Sequence, residues 1–327
     1  MHNPPNPTSI LNDPILDLVG HTPLIPLARL FENTKGIEVF AKLEYRNPSG
    51  SIKDRIAVHI LRDAAERGVL KPGGTVIEAT SGNTGASLAL FCARLGYKLM
   101  LTTPSKTSEE KKNYMRALGA DLVICPPALH GSPDHYQAQA ERLARNMPDA
   151  FWVNQYDNPL NAEAHYLTTG PEIWAQMNGE IDWLVTGGAT GGTVTGISRY
   201  LKQHNPEVRV LLPDPVGSVY YRYIKTGEIH AEDVRPYQVE GVGKDYLPGA
   251  MDMREIDEAM QYDDAAAFNM CRRCAAAEGI LPGLSAGGNL AGVTWLMERL
   301  SGPARIVTLI QDLGVSYLSK LGAGGNH

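Results

Sequence analysis

The sequence predicts an α/β protein of two unequal lobes, each a mostly parallel twisted sheet flanked by helices, and three observations carry that expectation. Strand, turn and helix signals recur in that order along most of the chain, which is the rhythm of parallel strands joined by right-handed helical crossovers. The 327 residues allow two domains of ordinary size, or one large unit with a subdivided core. Two series of such units are separated by Gln155 to Leu160, a segment of loop composition that reads as a crossing between lobes.

Residues 1–9 contain Pro4, Pro5 and Pro7 without periodicity and are expected to form a mobile arm. From Ile10 to Leu30 a short helical segment mixes with the extended stretch Thr22 to Leu27, and Glu38 to Glu44 alternates as a strand does. After the turn Asn47-Pro48-Ser49-Gly50, Ile56, Ile60, Leu61 and Ala64 fall at helical spacing, and Gly68 stops the helix. Strands at 75–79, 98–103 and 121–125 alternate with helices at 86–95 and 108–118, closed by Gly96 and Gly119. A helical stretch then leads to a strand at 150–153. The second series runs through a strand at 181–185, a glycine-rich turn, a helix at 194–203 and a strand at 208–212. An alanine-rich helix follows at 264–278, another is headed by Gly283 to Asn289, and a last strand at 305–310 closes the second sheet.

Composition narrows the function classes. Apolar residues are 43% and charged residues 20%, with both signs interspersed, which is a globular and not a disordered balance. A net charge of -6 offers no basic field for a polyanion, so nucleic acid is not an expected partner. There is no apolar run of membrane length and no signal-peptide pattern in Met1 to Pro7, so no membrane partner is expected and the location is taken as cytoplasmic. Cys271 and Cys274 form a C-x-x-C inside the alanine-rich helix, without a second pair or a His pair. Buried helix-face thiols are therefore favoured over a zinc or redox site, and no metal is expected.

Three turns and one lysine carry the chemistry. Lys53 opens a helix, where the macrodipole favours carboxylates, so its charge is the wrong sign for simple stability. Thr80-Ser81-Gly82-Asn83-Thr84-Gly85 lies between a strand and a helix and fits a carboxylate or phosphate, although the same residues also serve ordinary capping. Gly187-Gly188-Ala189-Thr190-Gly191-Gly192-Thr193 has more glycines than a structural turn requires and favours phosphate. It matches neither a Walker A nor a dinucleotide spacing. Ser285, in Gly283 to Asn289, heads a helix in a position that capping alone could explain.

In this order, Asn47 to Arg55, Thr80 to Gly85, Arg116 to Ala120, Thr168 to Ile173 and Thr190 to Gly196 resemble the pyridoxal-phosphate enzymes of the cysteine synthase and cystathionine β-synthase group. These are the fold type II, or tryptophan-synthase-β-like, enzymes, and the resemblance spans Ile10 to Leu321. It implies pyridoxal 5'-phosphate as cofactor and an active site in the cleft between lobes. Residues 10–43 with 158–327 would form the large, phosphate-holding domain. Residues 44–157 would form the small substrate domain that carries Lys53 and the Thr80 to Gly85 loop.

The resemblance also implies roles residue by residue. Lys53 would bind the cofactor covalently, Asn83 would meet its 3'-oxygen, and Ser285 would face its ring nitrogen. Ala189, Thr190, Gly191, Gly192 and Thr193 would hold the 5'-phosphate. Thr80, Ser81, Thr84 and Gln155 would hold the substrate α-carboxylate, with Gly241 and Tyr246 also on the substrate side. Ala189 departs from the glycine usual in the family; a positive φ there would cost about 1 kcal/mol. Lys53 would remove the Cα proton, the β-substituent would leave, a thiol would add, and Lys53 would return the proton.

Val239 to Pro248 is similar to the Glu-Gly-Ile-Gly-x-Asp-Phe pattern of cystathionine β-synthases, and Ser132-Pro133-Asp134-His135 points the same way. Asp312-Leu313-Gly314 with Tyr317-Leu318-Ser319, and Thr169 to Ile173, sit closer to cysteine synthases. The resemblance therefore favours an amino-acid donor, serine or an O-activated serine, with the thiol homocysteine as acceptor. Cysteine synthase with sulfide is the alternative, an amine acceptor of the diaminopropionate type a third, and a serine or threonine dehydratase or a non-catalytic phosphate binder stand behind them. A homodimer is expected from the family.

Overall fold

A computed structural model of the protein describes residues 13–32 and 35–321; the arm expected over 1–9 lies outside the described residues. The chain enters through β1 (Leu24–Pro26) and β2 (Ile37–Leu43) and continues into α1 (Lys53–Glu66), β3 (Thr75–Ala79) and α2 (Asn83–Leu95). It then forms β4 (Lys98–Pro104), α3 (Glu109–Ala117), β5 (Asp121–Cys125), α4 (Tyr136–Asn146) and β6 (Ala150–Trp152). Helices α5 (Leu160–Ala164) and α6 (Gly170–Gln176) follow, then β7 (Trp183–Val185), α7 (Gly192–His204), β8 (Arg209–Pro215) and α8 (Tyr220–Thr226). The chain finishes with β9 (Glu258–Tyr262), α9 (Asp264–Glu278), α10 (Leu284–Arg299), β10 (Ala304–Ile310) and α11 (Leu318–Leu321).

The strands make two sheets, one of six in the order β1-β2-β10-β7-β8-β9 and one of four in the order β5-β4-β3-β6. Every pairing is parallel except β1 with β2. This is the mixed α/β, mostly parallel architecture that the sequence predicts. Strand β10, the last strand expected to close the second sheet, sits in the middle of it, between β2 and β7. Its composition explains the place, because a strand covered on both faces reads as the unbroken run Ile306-Val307-Thr308-Leu309-Ile310, all buried.

Helix α1 joins the two sheets. Ile56, Ala57, Ile60, Leu61 and Ala64 form its apolar face and pack in one core with Val76, Leu88 and Leu101 of the smaller sheet layer. Its start is tied to the larger sheet, since Ser51 bridges Asp312 and Ile52 N donates to Gln311 O at 2.9 Å. A buried ionic cluster locks this junction. Arg55 donates from Nε and Nη2 to Glu44 at 2.7 and 2.8 Å and from Nη1 and Nη2 to Glu172 at 2.7 and 2.8 Å. Lys42 completes it, with Nζ at 2.6 Å from Glu172 and 2.7 Å from Thr22 O.

Cys271 and Cys274 are buried on α9, and burial raises both thiols to about 12, far from a reactive thiolate. Among the described residues no helix is long and apolar enough to cross a membrane.

Candidate active site

In open parallel sheets the loops beyond the carboxyl ends of the strands meet at one crevice. Here three such loops converge: Thr80 to Asn83 after β3, Thr186 to Gly191 after β7, and Gln311-Asp312 after β10. A cavity of about 660 Å³ opens there, lined by Ser81, Ala189, Gly241 and Lys244 among others.

Lys53 is the first residue of α1, behind the Ser51–Asp312 bridge. Burial pulls its amine down to about 8, against the nearby Asp312 carboxylate, which favours the charged form. Nζ makes no hydrogen bond among the described residues. Asp312 is also the hub for its neighbours: its Oδ2 accepts from Asn83 Nδ2 at 2.7 Å and from the Tyr317 hydroxyl at 2.5 Å. Its Oδ1 is buried without a partner. Ser285 does not cap its helix, because Gly283 occupies that position. It lies buried in the first turn of α10, 3.4 Å from Gln311 Oε1, and a Cβ on Gly241 would sit 3.7 Å from its own.

The turn after β3 is held by Thr80, whose Oγ1 accepts from Gly82 N at 3.0 Å and Gly85 N at 3.2 Å. The N–H groups of Ser81, Asn83 and Thr84 are left without a protein acceptor among the described residues, at the positive end of α2. Thr84 and Gln155 spend their polar atoms on each other and the scaffold. Thr84 donates to Gln155 Oε1 at 2.6 Å, and Gln155 Nε2 donates to Ala79 O at 2.8 Å and Glu78 Oε1 at 3.2 Å. Burial drives Glu78 up to about 8.

The turn after β7 forms the second anion cradle. Gly191 has φ +82°, and a Cβ there would lie 2.1 Å from Met251 Cβ, so only glycine serves. Ala189 has no positive φ, so the turn accepts it without strain; its carbonyl accepts from the Tyr220 hydroxyl at 2.6 Å. The N–H groups of Gly191, Gly192 and Thr193 find no protein acceptor among the described residues, and no side chain caps α7. Two residues that sequence reasoning missed orient the threonines: Asn161 Nδ2 donates to Thr190 Oγ1 at 2.9 Å, and His165 Nε2 lies 3.1 Å from Thr193 Oγ1. His165 belongs to a π-helical turn over His165–Thr169, where burial holds its imidazole neutral, well below its usual range.

Gly243 N donates to Gly188 O at 2.7 Å and so ties the Gly241 loop to this cradle. Tyr246 lines a neighbouring cavity of about 270 Å³ with Glu78, its ring stacked on His130 at 3.7 Å and 4.9 Å from Lys244 Nζ, its hydroxyl accepting from Gln137 Nε2 at 2.6 Å.

A family model described as "Pyridoxal-phosphate dependent enzyme" matches residues 15–312. The chain is 39% identical over 310 residues to cysteine synthase 1 of Emericella nidulans, covering 94% of this chain and 84% of that one. It is 38% identical over 306 residues to the O-acetylserine dependent cystathionine beta-synthase of Bacillus subtilis, covering 94% and 96%. The crystal structure of O-ureido-L-serine synthase superposes with a TM-score of 0.87 at 35% identity, covering 96% of each chain.

Proposed function

Because this chain belongs to the pyridoxal-phosphate dependent enzymes and is a β-synthase of that family, we propose that it replaces the β-substituent of serine or an O-activated serine with the thiol of homocysteine, giving cystathionine. The observation that carries the reading is Lys53: a desolvated amine, lowered to about 8, near the Asp312 carboxylate and with no hydrogen-bond partner among the described residues.

The free N–H groups of the turn from Ala189 through Thr190, Gly191 and Gly192 to Thr193 fit the cofactor's phosphate, and Lys53 is the residue that would bind its aldehyde carbon. In this reading Asn83 would release its bond to Asp312 and meet the 3'-oxygen, and Ser285 in the first turn of α10 would face the ring nitrogen. When bound, pyridoxal phosphate supplies an electron sink that acidifies the Cα proton of an amino acid. Ser285 carries no charge with which to hold a proton on the ring nitrogen, a weaker sink that favours elimination and replacement over transamination.

Lys53, with its lowered affinity for protons, is suited to take the Cα proton and return it. The open N–H groups at Ser81, Asn83 and Thr84 support binding of the substrate α-carboxylate, with the Ser81 hydroxyl beside them. Thr80, Thr84 and Gln155 serve that site by fixing the shape of the turn. Gly241, opposite Ser285, lines the cavity at φ +84°, a backbone conformation that suits glycine.

A second reading is cysteine synthase with sulfide as acceptor, supported by the Emericella relative and by the Asp312 to Ser319 segment. Mass spectrometry of products from each donor with homocysteine or sulfide separates the two. Cystathionine formed more efficiently than cysteine supports the first reading. Cysteine as the preferred product supports the second, and pyruvate with ammonia alone contradicts both. We place the enzyme in the cytoplasm as a homodimer; sedimentation checks the dimer.

A further inference from the structure

Lys244 is a second buried amine, lining the cavity with Ser81 and Ala189, and the proposed reaction leaves it without a role. Its backbone is fixed on the large-sheet side. Lys244 N donates to Ser218 Oγ at 3.1 Å, its carbonyl accepts from Val219 N at 3.0 Å, and the preceding Gly243 is bonded to Gly188 of the phosphate turn. Its side chain crosses the cleft to the small-sheet side, where Nζ donates to the Tyr136 hydroxyl at 3.3 Å. Tyr156 and Tyr246 present their rings 4.5 and 4.9 Å from the same nitrogen. The Tyr136 and Tyr156 hydroxyls are themselves bonded at 2.7 Å, so this side of the cage is rigid.

The ammonium is under-satisfied. It has three N–H donors and one acceptor among the described residues, with no carboxylate within ion-pair distance. Aromatic faces stabilise a cation without using its donors. Burial lowers its pKa to about 8, partly offset by Asp245. The surrounding field is positive in a chain that is negative overall. Lys106, Arg235, Lys244 and Lys320 line the cavity against two carboxylates, Glu240 and Asp245. Glu240 is already paired, with Lys111 at 3.2 Å and Lys320 at 2.6 Å. Asp245 accepts from His130 N at 3.1 Å. No salt bridge joins Asp245 to Lys244, so the two remaining donors of Lys244 have no carboxylate partner among the described residues.

We propose that Lys244 recognises an oxyanion carried by a substrate in addition to the α-carboxylate held at the Ser81 turn, and so selects substrates bearing a second anionic group. That group is the carboxylate of an amino-acid thiol acceptor or the phosphate of an O-phosphorylated donor. Ser81, Ala189 and Gly241 line the same cavity as Lys244, so the amine borders the space open to a substrate held at the Ser81 turn. This inference rests on the β-replacement reading above, and it names what that site discriminates. It gives Lys244 a binding role and no part in proton transfer.

The test compares wild type, Lys244→Met and Lys244→Arg, each loaded with cofactor. Four pairs are assayed: O-acetylserine or O-phosphoserine as donor, with sulfide or homocysteine as acceptor. In Lys244→Met the ratio of kcat/KM for anion-bearing pairs to that for O-acetylserine with sulfide falls about tenfold, chiefly through KM, and Lys244→Arg restores most of it. A fall confined to homocysteine assigns the acceptor carboxylate; a fall confined to O-phosphoserine assigns the leaving group. A ratio within twofold of wild type overturns the proposal, whether all pairs slow together or none does.

Calorimetric titration of the cofactor-loaded proteins with inorganic phosphate gives a second readout that does not depend on turnover. Wild type binds and Lys244→Met binds about tenfold more weakly. Equal binding by both, or binding by neither, counts against the proposal. Failure of the β-replacement reading looks different: wild type then forms no replacement product from any pair.

Discussion

Replacing Arg55 with Met isolates the junction that holds Lys53 in place. Met keeps most of the buried stem volume, so the loss falls on the guanidinium and its four short bonds to Glu44 and Glu172. Glu172 is partly exposed, with 15% of its side chain accessible, and solvent takes up much of its share. Glu44 is fully buried, and after the change only Thr22 Oγ1 at 2.6 Å and Asn47 Nδ2 at 3.0 Å among the described residues still donate to it. Breaking one side of a buried ion pair costs about 3–5 kcal/mol, and a chain of this size should lose roughly 4–7 °C in Tm.

The pH dependence has a definite sign. Burial opposes ionisation of Glu44, but Arg55 and Thr22 outweigh it and hold the carboxyl below its usual range. Burial likewise opposes ionisation of Glu172, and Arg55 with Lys42 brings that carboxyl down to about 2. Depressed carboxyls contribute stability that is complete above their unfolded value of 4.5 and is lost as pH falls toward 2. Urea unfolding across pH 3 to 8 should show the wild type to variant gap at its widest near neutrality and narrowing below about pH 4.5. Adding Glu44→Gln to Arg55→Met should recover part of the loss. A neutral-pH gap under about 1 kcal/mol, or a gap that does not change with pH, refutes the reasoning.

Glu78→Gln should behave oppositely with pH. Glu78 holds its proton up to about 8 in the fold, so its contribution is full below the unfolded 4.5 and lost as pH rises through 8; Tm of the variant should gain on wild type over that window by the equivalent of a few kcal/mol, and parallel curves contradict it. Gly191→Ala should weaken retention of the cofactor more than tenfold, followed by its visible absorbance on dilution, because the new Cβ meets Met251 at a positive φ. Ala189→Gly, where φ is not positive, should change stability by less than about 1 kcal/mol; equal retention by Gly191→Ala and wild type would show the turn does not hold phosphate.

The parallel α/β architecture was legible because hydrophobic runs, helical spacing and glycine stops are local signals. Strand β9 was missed because Glu258-Ala259-Met260-Gln261-Tyr262 has neither branched residues nor alternation, and its only pairing is at an edge with β8. The helical stretch from Leu160 to Gln176 was missed because the π turn breaks the 3.6-residue period and Gly170-Pro171 reads as a stop.

At the site, the turns themselves could be read, but what their polar atoms touch could not. Thr84 meets Gln155 across 71 residues, and Asn83 meets Asp312 across 229. In the sequence Asp312 stands out only as part of the Asp312-Leu313-Gly314 motif; its place beyond the carboxyl end of a central strand is the signal of its role. Lys244 gave no signal, since its cage is assembled from tyrosines at 136, 156 and 246.

The central claim is that the amine at position 53 carries the pyridoxal group. Borohydride reduction of the cofactor-loaded protein, followed by peptide mass spectrometry, tests it directly. The account predicts a stable pyridoxyl mass on the peptide containing Lys53 and none in Lys53→Ala. The same mass on the Lys244 peptide, or undiminished labelling of Lys53→Ala, would contradict it.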